Sequence, residues 1–575
     1  MGIVTTVKNE IDSYVSGEVR ITDRISFSQY RTVRHISNFA NRTYPSGNVD
    51  SQGNYKYWFD IISPRIDNET KNIDFDTSDI TLYSEMKSDR VRVMLSNALL
   101  REWMKETQQG VSLNEDIENC TGWGNMIWKK VKGGKLALDL TDTYVINQKA
   151  KTLSESPVIE RHLLTSSQLR AKRGIYNEER VDELLKSRGN VSYVEGISDD
   201  KGIRYYELFE RNGEVSVEDY NEARRELGQG EIASNDPENE FILAKSILCL
   251  MDGGSGGKLL FVERLKSMDD IYVEYHRGRY VGRWLRVGFY EMLMDIQIRA
   301  NEIGNQIARA LEYGAIQLFT SSDDSIYRNV LTDLQRGDIV KAKDLRRLDM
   351  SMQDISNYIA EWNQLMQTAD RLTNSTDIAS GEEMPSGMPF KLGNLLNQNS
   401  NKLYNFIREK LALSFKSIYE NWILPELLKD FGERDVVRIT GDSEYLDLYR
   451  EALIEEWYIR NLVALGPHTS EEAKVLKERK AEQLGKSKEE LVRLGRDFWK
   501  DYKARVSVNI TGESVNINTD IESRNTLLAL EPDPIRKSAL LDQIYTRLGI
   551  DMTKLPKAQP QNMQVPQGKT VMPTQ

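Results

Sequence analysis

Apolar residues at helical spacing mark long segments in the second half of the chain. Between residues 287 and 314 they recur in steps of four or three, at Phe289, Leu293, Ile296, Ala300, Ile303, Ile307 and Leu311. This spacing gives one narrow apolar stripe, so it predicts a helix that packs along a single side. Similar patterns predict a second helix over residues 351–372 and a third, the longest in the chain, over residues 390–424. Pro425 is expected to kink or end the third helix.

The first 285 residues mix helical and strand-like patterns. An apolar helical face is predicted within residues 88–107, and short strand-like runs flank Gly133-Gly134, which is typical of a tight hairpin. A second hairpin turn is predicted at Asn212-Gly213. We therefore expect an α+β domain here, and an α+β, predominantly helical fold for the chain as a whole.

Two connecting segments differ from the helices that they join. Residues 315–350 contain two strand-like runs between the first two predicted helices. Residues 373–393 contain two prolines, three glycines and many small polar residues between the second and third helices. Long loops inside a folded protein are uncommon and usually functional, so we expect this second segment to carry function.

Composition restricts the class of protein. The chain has 575 residues, 39% hydrophobic and 29% charged, as expected for a folded protein with several structural regions. The net charge of −11 argues against a protein that coats nucleic acid by neutralising phosphates, although a like-charged wall would let a polyanion pass without sticking. Cys120 and Cys249 stand alone and are expected to be reduced thiols. No stretch approaches the roughly 18 apolar residues of a membrane span, so no membrane association is expected.

Local signals for catalysis and metal binding are weak. The histidines are widely separated in the sequence, at positions His35, His162, His276 and His468. The glycines near Lys258 and Lys486 do not complete a phosphate-binding loop, because each stretch lacks a residue that the motif requires. We therefore expect no enzyme activity, no metal and no cofactor.

Two basic groups are candidates for contacts with an anionic partner. The first comprises Lys341, Lys343, Arg346 and Arg347. It is either a solvated strand end or, if several copies surround one axis, a ring of positive charge. The second comprises Arg277, Arg279, Arg283 and Arg286. It is expected either to contact phosphates or to pair with acidic residues of a neighbouring subunit.

The order of these elements resembles the portal protein of tailed bacteriophages. Residues 278–307 (GRYVGRWLRVGFYEMLMDIQIRANEIGNQI) resemble the start of that family's first stem helix, where a glycine-containing turn leads into a helix bearing Gln and Asn. Residues 121–146 (TGWGNMIWKKVKGGKLALDLTDTYVI) resemble the hairpin of its wing. The resemblance extends over about residues 90–550 and depends on the order of elements and on these local stretches.

The resemblance implies a wing, stem, clip and crown architecture with a long helix across the wing. The implied segments are the wing (1–285), first stem helix (286–314), clip (315–350), second stem helix (351–372), tunnel loop (373–389), long wing helix (390–430), wing return (431–519), crown (520–550) and a disordered tail (551–575).

The resemblance also implies a ring, in this family a dodecamer, at one capsid vertex of the virion, assembled in the host cytoplasm. Double-stranded DNA would pass through the ring during packaging and ejection. The implied partners are further copies of the chain, the DNA, the terminase or packaging ATPase, head-tail adaptor proteins and the major capsid protein. The chain itself would hydrolyse nothing, because the motor is a separate protein.

The tunnel loop is expected to line the narrowest part of this channel. Its candidate channel-lining residues are Asn374, Ser375, Asp377, Ser380, Gly381, Glu382, Glu383, Ser386 and Gly387. Its acidic side chains would repel DNA phosphates and lower friction. The basic set of the clip would contact the motor, an adaptor or the DNA. The alternatives are an enzyme whose site assembles only in the fold, and a helical scaffold or adaptor without a channel.

Overall fold

The architecture below concerns the residues for which the computed structural model gives a position. These are residues 2–44, 46–49, 53–84, 89–186, 205–234, 236–250, 256–315, 319–320, 346–347, 352–375, 390–433, 436–439, 454, 457–458, 461, 470–484, 490–493, 502 and 504–508. All of them belong to one compact unit that spans residues 1–510. The predicted crown and tail, residues 520–575, lie outside them.

The N-terminal part consists mainly of helices, each with one apolar face turned to the core. Its elements are α1 (Ile3–Ser16), β1 (Val19–Thr22), β2 (Ile25–Phe27), α2 (Gln29–Ala40), α3 (Ser63–Ile73), β3 (Ile80–Tyr83), α4 (Arg90–Glu106) and α5 (Gln109–Trp123). The helix predicted within residues 88–107 is confirmed as α4, which buries Leu95 and Leu99 one turn apart.

Antiparallel sheets dominate the next stretch. Its elements are β4 (Asn125–Val131), β5 (Gly134–Ala137), β6 (Thr143–Val145), β7 (Val158–Thr165), α6 (Ser166–Ala171), α7 (Glu178–Lys186), β8 (Tyr205–Ser216), α8 (Val217–Glu226), β9 (Phe241–Leu250), β10 (Gly257–Arg264) and β11 (Tyr272–His276). Strands β10, β9, β8, β7 and β6 form a five-stranded sheet in that order, and β11, β4 and β5 form a three-stranded sheet.

One of the two predicted hairpins is confirmed and the other is wrong. Val131 pairs with Gly134 across a two-residue turn, in which Gly133 takes a left-handed φ of +83°. Asn212 and Gly213, by contrast, lie within the continuous strand β8, where Asn212 pairs with both β7 and β9 and Gly213 pairs with β9. Gly213 serves close packing here, because a Cβ at this position would lie 2.8 Å from the Cα of Pro157.

The second half begins with the predicted helices. Its elements are α9 (Phe289–Met292), α10 (Met294–Ala315), β12 (Phe319–Thr320), β13 (Arg346–Arg347), α11 (Met352–Thr373), α12 (Phe390–Ile418), a π turn (Tyr419–Ile423), α13 (Leu424–Glu433), β14 (Val436–Ile439), α14 (Ser470–Leu484), β15 (Glu490–Arg493) and β16 (Arg505–Val508). The three long helices predicted from the apolar spacing are confirmed as α10, α11 and α12. Helix α12 ends at Ile418, and the π turn leads into α13, in which Pro425 is the second residue, where a missing N–H group is tolerated. The α-helix is thus interrupted just before Pro425, as expected.

Helix α12 is central to the largest hydrophobic core. It packs against α3, β11 and β16, and its Phe415 lies against the rings of Phe75 and Trp128. Strand β16 in turn pairs with β3, so a late segment of the chain completes a sheet begun by an early one. The described residues therefore form an α+β fold in which the long helix α12 packs against strands of two small sheets.

Candidate functional site

Helices α10 and α11 pack side by side and share a small core with the N-terminal part. Phe289, Leu293, Ala300 and Ala369 are fully buried there, together with Ile61 and its neighbours in the sequence. Further along the pair, apolar side chains are exposed to solvent. Leu311, the last residue of the predicted stripe, is 58% exposed. Ile298 on α10, which is not part of that stripe, is 43% exposed, and Ile359 on α11 is 48% exposed.

Ion pairs connect the two helices to each other and to α3. Arg299 on α10 donates two hydrogen bonds to Glu361 on α11, at 2.8 and 3.1 Å, and one to Glu302 at 3.0 Å. Arg65 on α3 donates to the Asp370 carboxylate at 2.6 Å. The end of α11 that leads into the predicted tunnel loop is thus fixed to the body of the protein.

The last turn of α11 has the geometry of a specific helix stop. Asn374 takes a left-handed φ of +56°, and the Ser375 N–H donates back to the Asp370 carbonyl at 3.0 Å. The Tyr404 hydroxyl on α12 donates to the Asn374 carbonyl at 3.3 Å. The first residues of the predicted loop are therefore anchored to both α11 and α12.

Only a few of the predicted site residues lie in the described part of the chain. Asn374 is half-buried and Ser375 is 6% exposed, so in this single chain both serve as anchors of the helix end. The other candidate loop residues lie outside the described residues; they are Asp377, Ser380, Gly381, Glu382, Glu383, Ser386 and Gly387. Their assignment to a channel stays a prediction.

The basic set of the predicted clip is described only at its end. Arg346 and Arg347 form strand β13 and pair with Thr320 and Phe319, respectively. Lys341 and Lys343 lie outside the described residues. The role of the basic set stays a prediction.

The arginines that precede α10 have partners in their own chain. Arg277 forms two hydrogen bonds with the buried Glu69, at 2.6 and 2.7 Å, and its guanidinium lies over the Phe289 ring. Arg283 pairs with Glu291 at 2.6 Å. The expectation that these two arginines contact phosphates or a neighbouring subunit is therefore wrong. Arg286 reaches the carbonyl groups of Gly278 and Lys151, and Arg279 is exposed.

A buried polar cluster that sequence analysis did not predict lies where β7 and β8 pair. Glu160, His162 and Glu210 place a nitrogen and carboxylate oxygens within 4.8 Å of one another, as metal ligands do. The Lys129 ammonium, however, lies between the two carboxylates, at 2.8 and 2.7 Å, and Lys245 adds a contact of 2.8 Å to Glu210. Two lysines thus balance two glutamates, and this geometry favours an ion-pair network over a metal centre.

The contacts within the network favour the ionised forms of Glu210 and Lys129. Burial alone would raise the pKa of Glu210, but His162, Lys129 and Lys245 outweigh it and hold that pKa well below its usual value. Burial likewise opposes the charge on Lys129, yet the carboxylates of Glu210 and Glu160 raise its pKa. Asn212 donates to Glu210 and to the hydroxyl of Tyr272, which in turn donates to Glu160. The available signal was the presence of Glu at strand positions that face the interior.

Comparisons with known proteins add no relative. No protein-family model matches the chain, and the search of curated proteins returns no significant match. None of the helices in the described part of the chain combines the length and the apolar content that a bilayer crossing requires.

Proposed function

We propose that this chain is a subunit of a ring-shaped portal, through which double-stranded DNA enters and leaves a phage capsid. The observation that carries the proposal is the pair α10 and α11. The pair packs on an α+β body, and several apolar side chains on the two helices are exposed in a single chain. Ile298, Leu311 and Ile359 would be covered by the helices of adjacent copies in a ring.

The order of the elements gives further support. An α+β region is followed by α10, the short strand pair β12–β13, α11 and the long α12. This is the order of wing, stem, clip, second stem helix and wing helix that the resemblance implies. In this assignment the anchors at Asn374 and Ser375 are the root of a loop that projects into the channel.

The proposed assembly is a homo-oligomer, so measuring its mass and shape tests it directly. The mass of the purified assembly is measured by light scattering or native mass spectrometry, and its shape is examined by electron microscopy. We expect a mass near twelve copies and a ring with a central hole. A monomer or dimer over the accessible concentration range would overturn the proposal, and a large assembly without a hole would favour the scaffold.

The acidic loop allows a test of transport. Replacement of Glu382 and Glu383 by Lys reverses the charge that would face the DNA phosphates. We expect these variants to assemble rings normally and to package DNA more slowly in a reconstituted assay. As a matched control, the same exchange at Glu471 and Glu472 on α14 should leave packaging unchanged. Normal packaging by the loop variant would contradict the proposed role of its charge.

A further inference from the structure

Three side-chain amides on α10 hold an extended segment of the N-terminal part through its backbone. The Oδ1 atoms of Asn305 and Asn301 accept hydrogen bonds from the N–H groups of Tyr57 and Phe59, at 2.8 and 2.9 Å. The Oε1 atom of Gln297 accepts from the Ile61 N–H at 3.0 Å. We call residues 57–61 the strap. Every second backbone N–H group of the strap is thus bound by a side-chain amide of α10.

The spacing of the two partners explains this match. Four residues of an α-helix advance about 6.0 Å along its axis, and two residues of an extended chain advance about 6.6 Å. Amides four residues apart on α10 thus meet every second N–H group of the strap. The mismatch of about 0.6 Å per step accumulates, so a short ladder of three amides is a natural length.

Amides suit this role because they both accept and donate. Gln297 Nε2 donates to the Phe59 carbonyl at 2.6 Å, and Asn305 Nδ2 donates to the Tyr57 carbonyl at 2.9 Å. An ionised carboxylate could accept but could not donate these bonds. All of these contacts involve backbone atoms of the strap, so the ladder recognises its extended shape and not its side chains.

The side chains of the strap contact two further helices. The Phe59 ring packs on Gly304 of α10, where a Cβ would lie 2.4 Å from it, and meets Trp362 of α11 edge-on at 5.4 Å. Trp58 points to the other side and packs against Phe39 of α2, at 5.7 Å between ring centroids. The strap therefore touches α2, α10 and α11 at once.

We propose that Gln297, Asn301 and Asn305 form a binding site for an extended polypeptide backbone, that the strap is its occupant, and that this binding fixes α10 and α11 relative to α2. The site works like the edge of a β-sheet, but a helix supplies the hydrogen-bonding groups from its side chains. The proposal does not depend on the portal assignment, because every contact lies within one chain.

Hydrogen exchange resolved to single amides tests the site. Replacement of Asn301 by Leu keeps the size of the side chain and removes the acceptor for the Phe59 N–H. We expect this amide to exchange at least tenfold faster, while amides of β8 and β9 keep their protection. The matched control is Gln306→Leu, an exposed amide on the same helix that makes none of the ladder bonds, and it should leave the strap unchanged.

A second pair of variants covers the case in which the buried Asn301→Leu variant does not fold. Asn305 is only half-buried, and Asn305→Asp keeps the acceptor for the Tyr57 N–H whereas Asn305→Leu removes it. We expect the Tyr57 amide to stay protected in the Asp variant and to lose at least tenfold of its protection in the Leu variant. Equal exchange in both variants, or unprotected amides at 57, 59 and 61 in the unmodified protein, would overturn the proposal.

Discussion

The backbones of Gly124 and Gly288 cross so closely that a Cβ on Gly288 would lie 2.4 Å from the Gly124 nitrogen. Gly124 ends α5 in a left-handed conformation with a φ of +71°, and Gly288 directly precedes α9. This crossing joins the start of the helical half to the strand β4. It gives a physical reason for the glycine-containing turn noted in the sequence.

Replacement of Gly288 by Ala should therefore destabilise the fold. The added methyl group would meet backbone atoms, which cannot move aside as a side chain can, and overpacking of this kind costs about 1–3 kcal/mol. Urea unfolding measures the change in the free energy of unfolding. The control is Gly134→Ala, where a Cβ meets no atom within 4 Å, and it should change stability much less.

Loss of the Glu69 carboxylate should lower the free energy of unfolding more than Gly288→Ala does. Glu69 and Arg277 are both buried, so Glu69→Ala leaves a guanidinium without its counter-charge, at a cost of about 3–5 kcal/mol. The exposed pair of Glu18 and Arg31 provides the comparison, and Glu18→Ala should cost at most about 1 kcal/mol. Thermal and urea unfolding of both variants would show the difference; equal losses would show that burial does not strengthen the dependence of Arg277 on Glu69.

The ion-pair network predicts a specific dependence on pH. The pKa of Glu210 is held below its usual value of 4.5, so its contribution to stability is complete above that pH and is lost as the pH falls through the lower, folded-state value. Glu210→Gln should cost about 3 kcal/mol at neutral pH, because Lys245 loses its carboxylate partner and Lys129 keeps only Glu160. The difference in the free energy of unfolding between Glu210→Gln and the unmodified protein should become smaller in acid.

Urea unfolding at several pH values measures this difference in the free energy of unfolding. Glu263→Gln, at an exposed position on strand β10 of the same sheet, is the control, and its free energy of unfolding should stay close to that of the unmodified protein. A difference between Glu210→Gln and the unmodified protein that stays constant from neutral pH to well below 4.5 would show that the charge of Glu210 is not what stabilises the network.

The helix stop at Asn374 can be tested by two substitutions. Ala in the left-handed conformation is strained, so Asn374→Ala should destabilise by about 1 kcal/mol. Asn374→Gly relieves that strain and should stay within about 0.5 kcal/mol of the unmodified protein, since its gain is offset by greater freedom of the unfolded chain. If Ala and Gly were equivalent in urea unfolding, the left-handed stop would be contradicted.

Local sequence patterns predicted the elements but not the contacts between distant parts of the chain. Helices α10, α11 and α12 and the turn at Gly133 follow from periodicity and glycine placement, which act over a few residues. The Asn212-Gly213 pair carries the same local signal as a hairpin turn, yet pairing on both sides keeps it in a strand. Here tertiary structure overrides turn propensity.

The candidate sites depend more strongly on long-range pairing. Lys129 meets Glu210, and Asn305 meets Tyr57, only because the fold brings distant segments together. In the sequence, Gln297, Asn301 and Asn305 are simply polar positions on a helix. They are spaced four residues apart, but this spacing indicates a binding site only once the extended strap is known to lie against it.

The strap has a consequence for which mutations the protein can accept. Because α10 reads the spacing of main-chain groups, most exchanges of the exposed Tyr57 side chain should be silent. Deletion of one residue between 57 and 61 would instead move the N–H groups on one side of the deletion out of register with the amides of α10 and turn the side chains there to the wrong faces. In this segment the length is constrained throughout, whereas residue identity is constrained at Trp58, Phe59 and Ile61 and not at Tyr57.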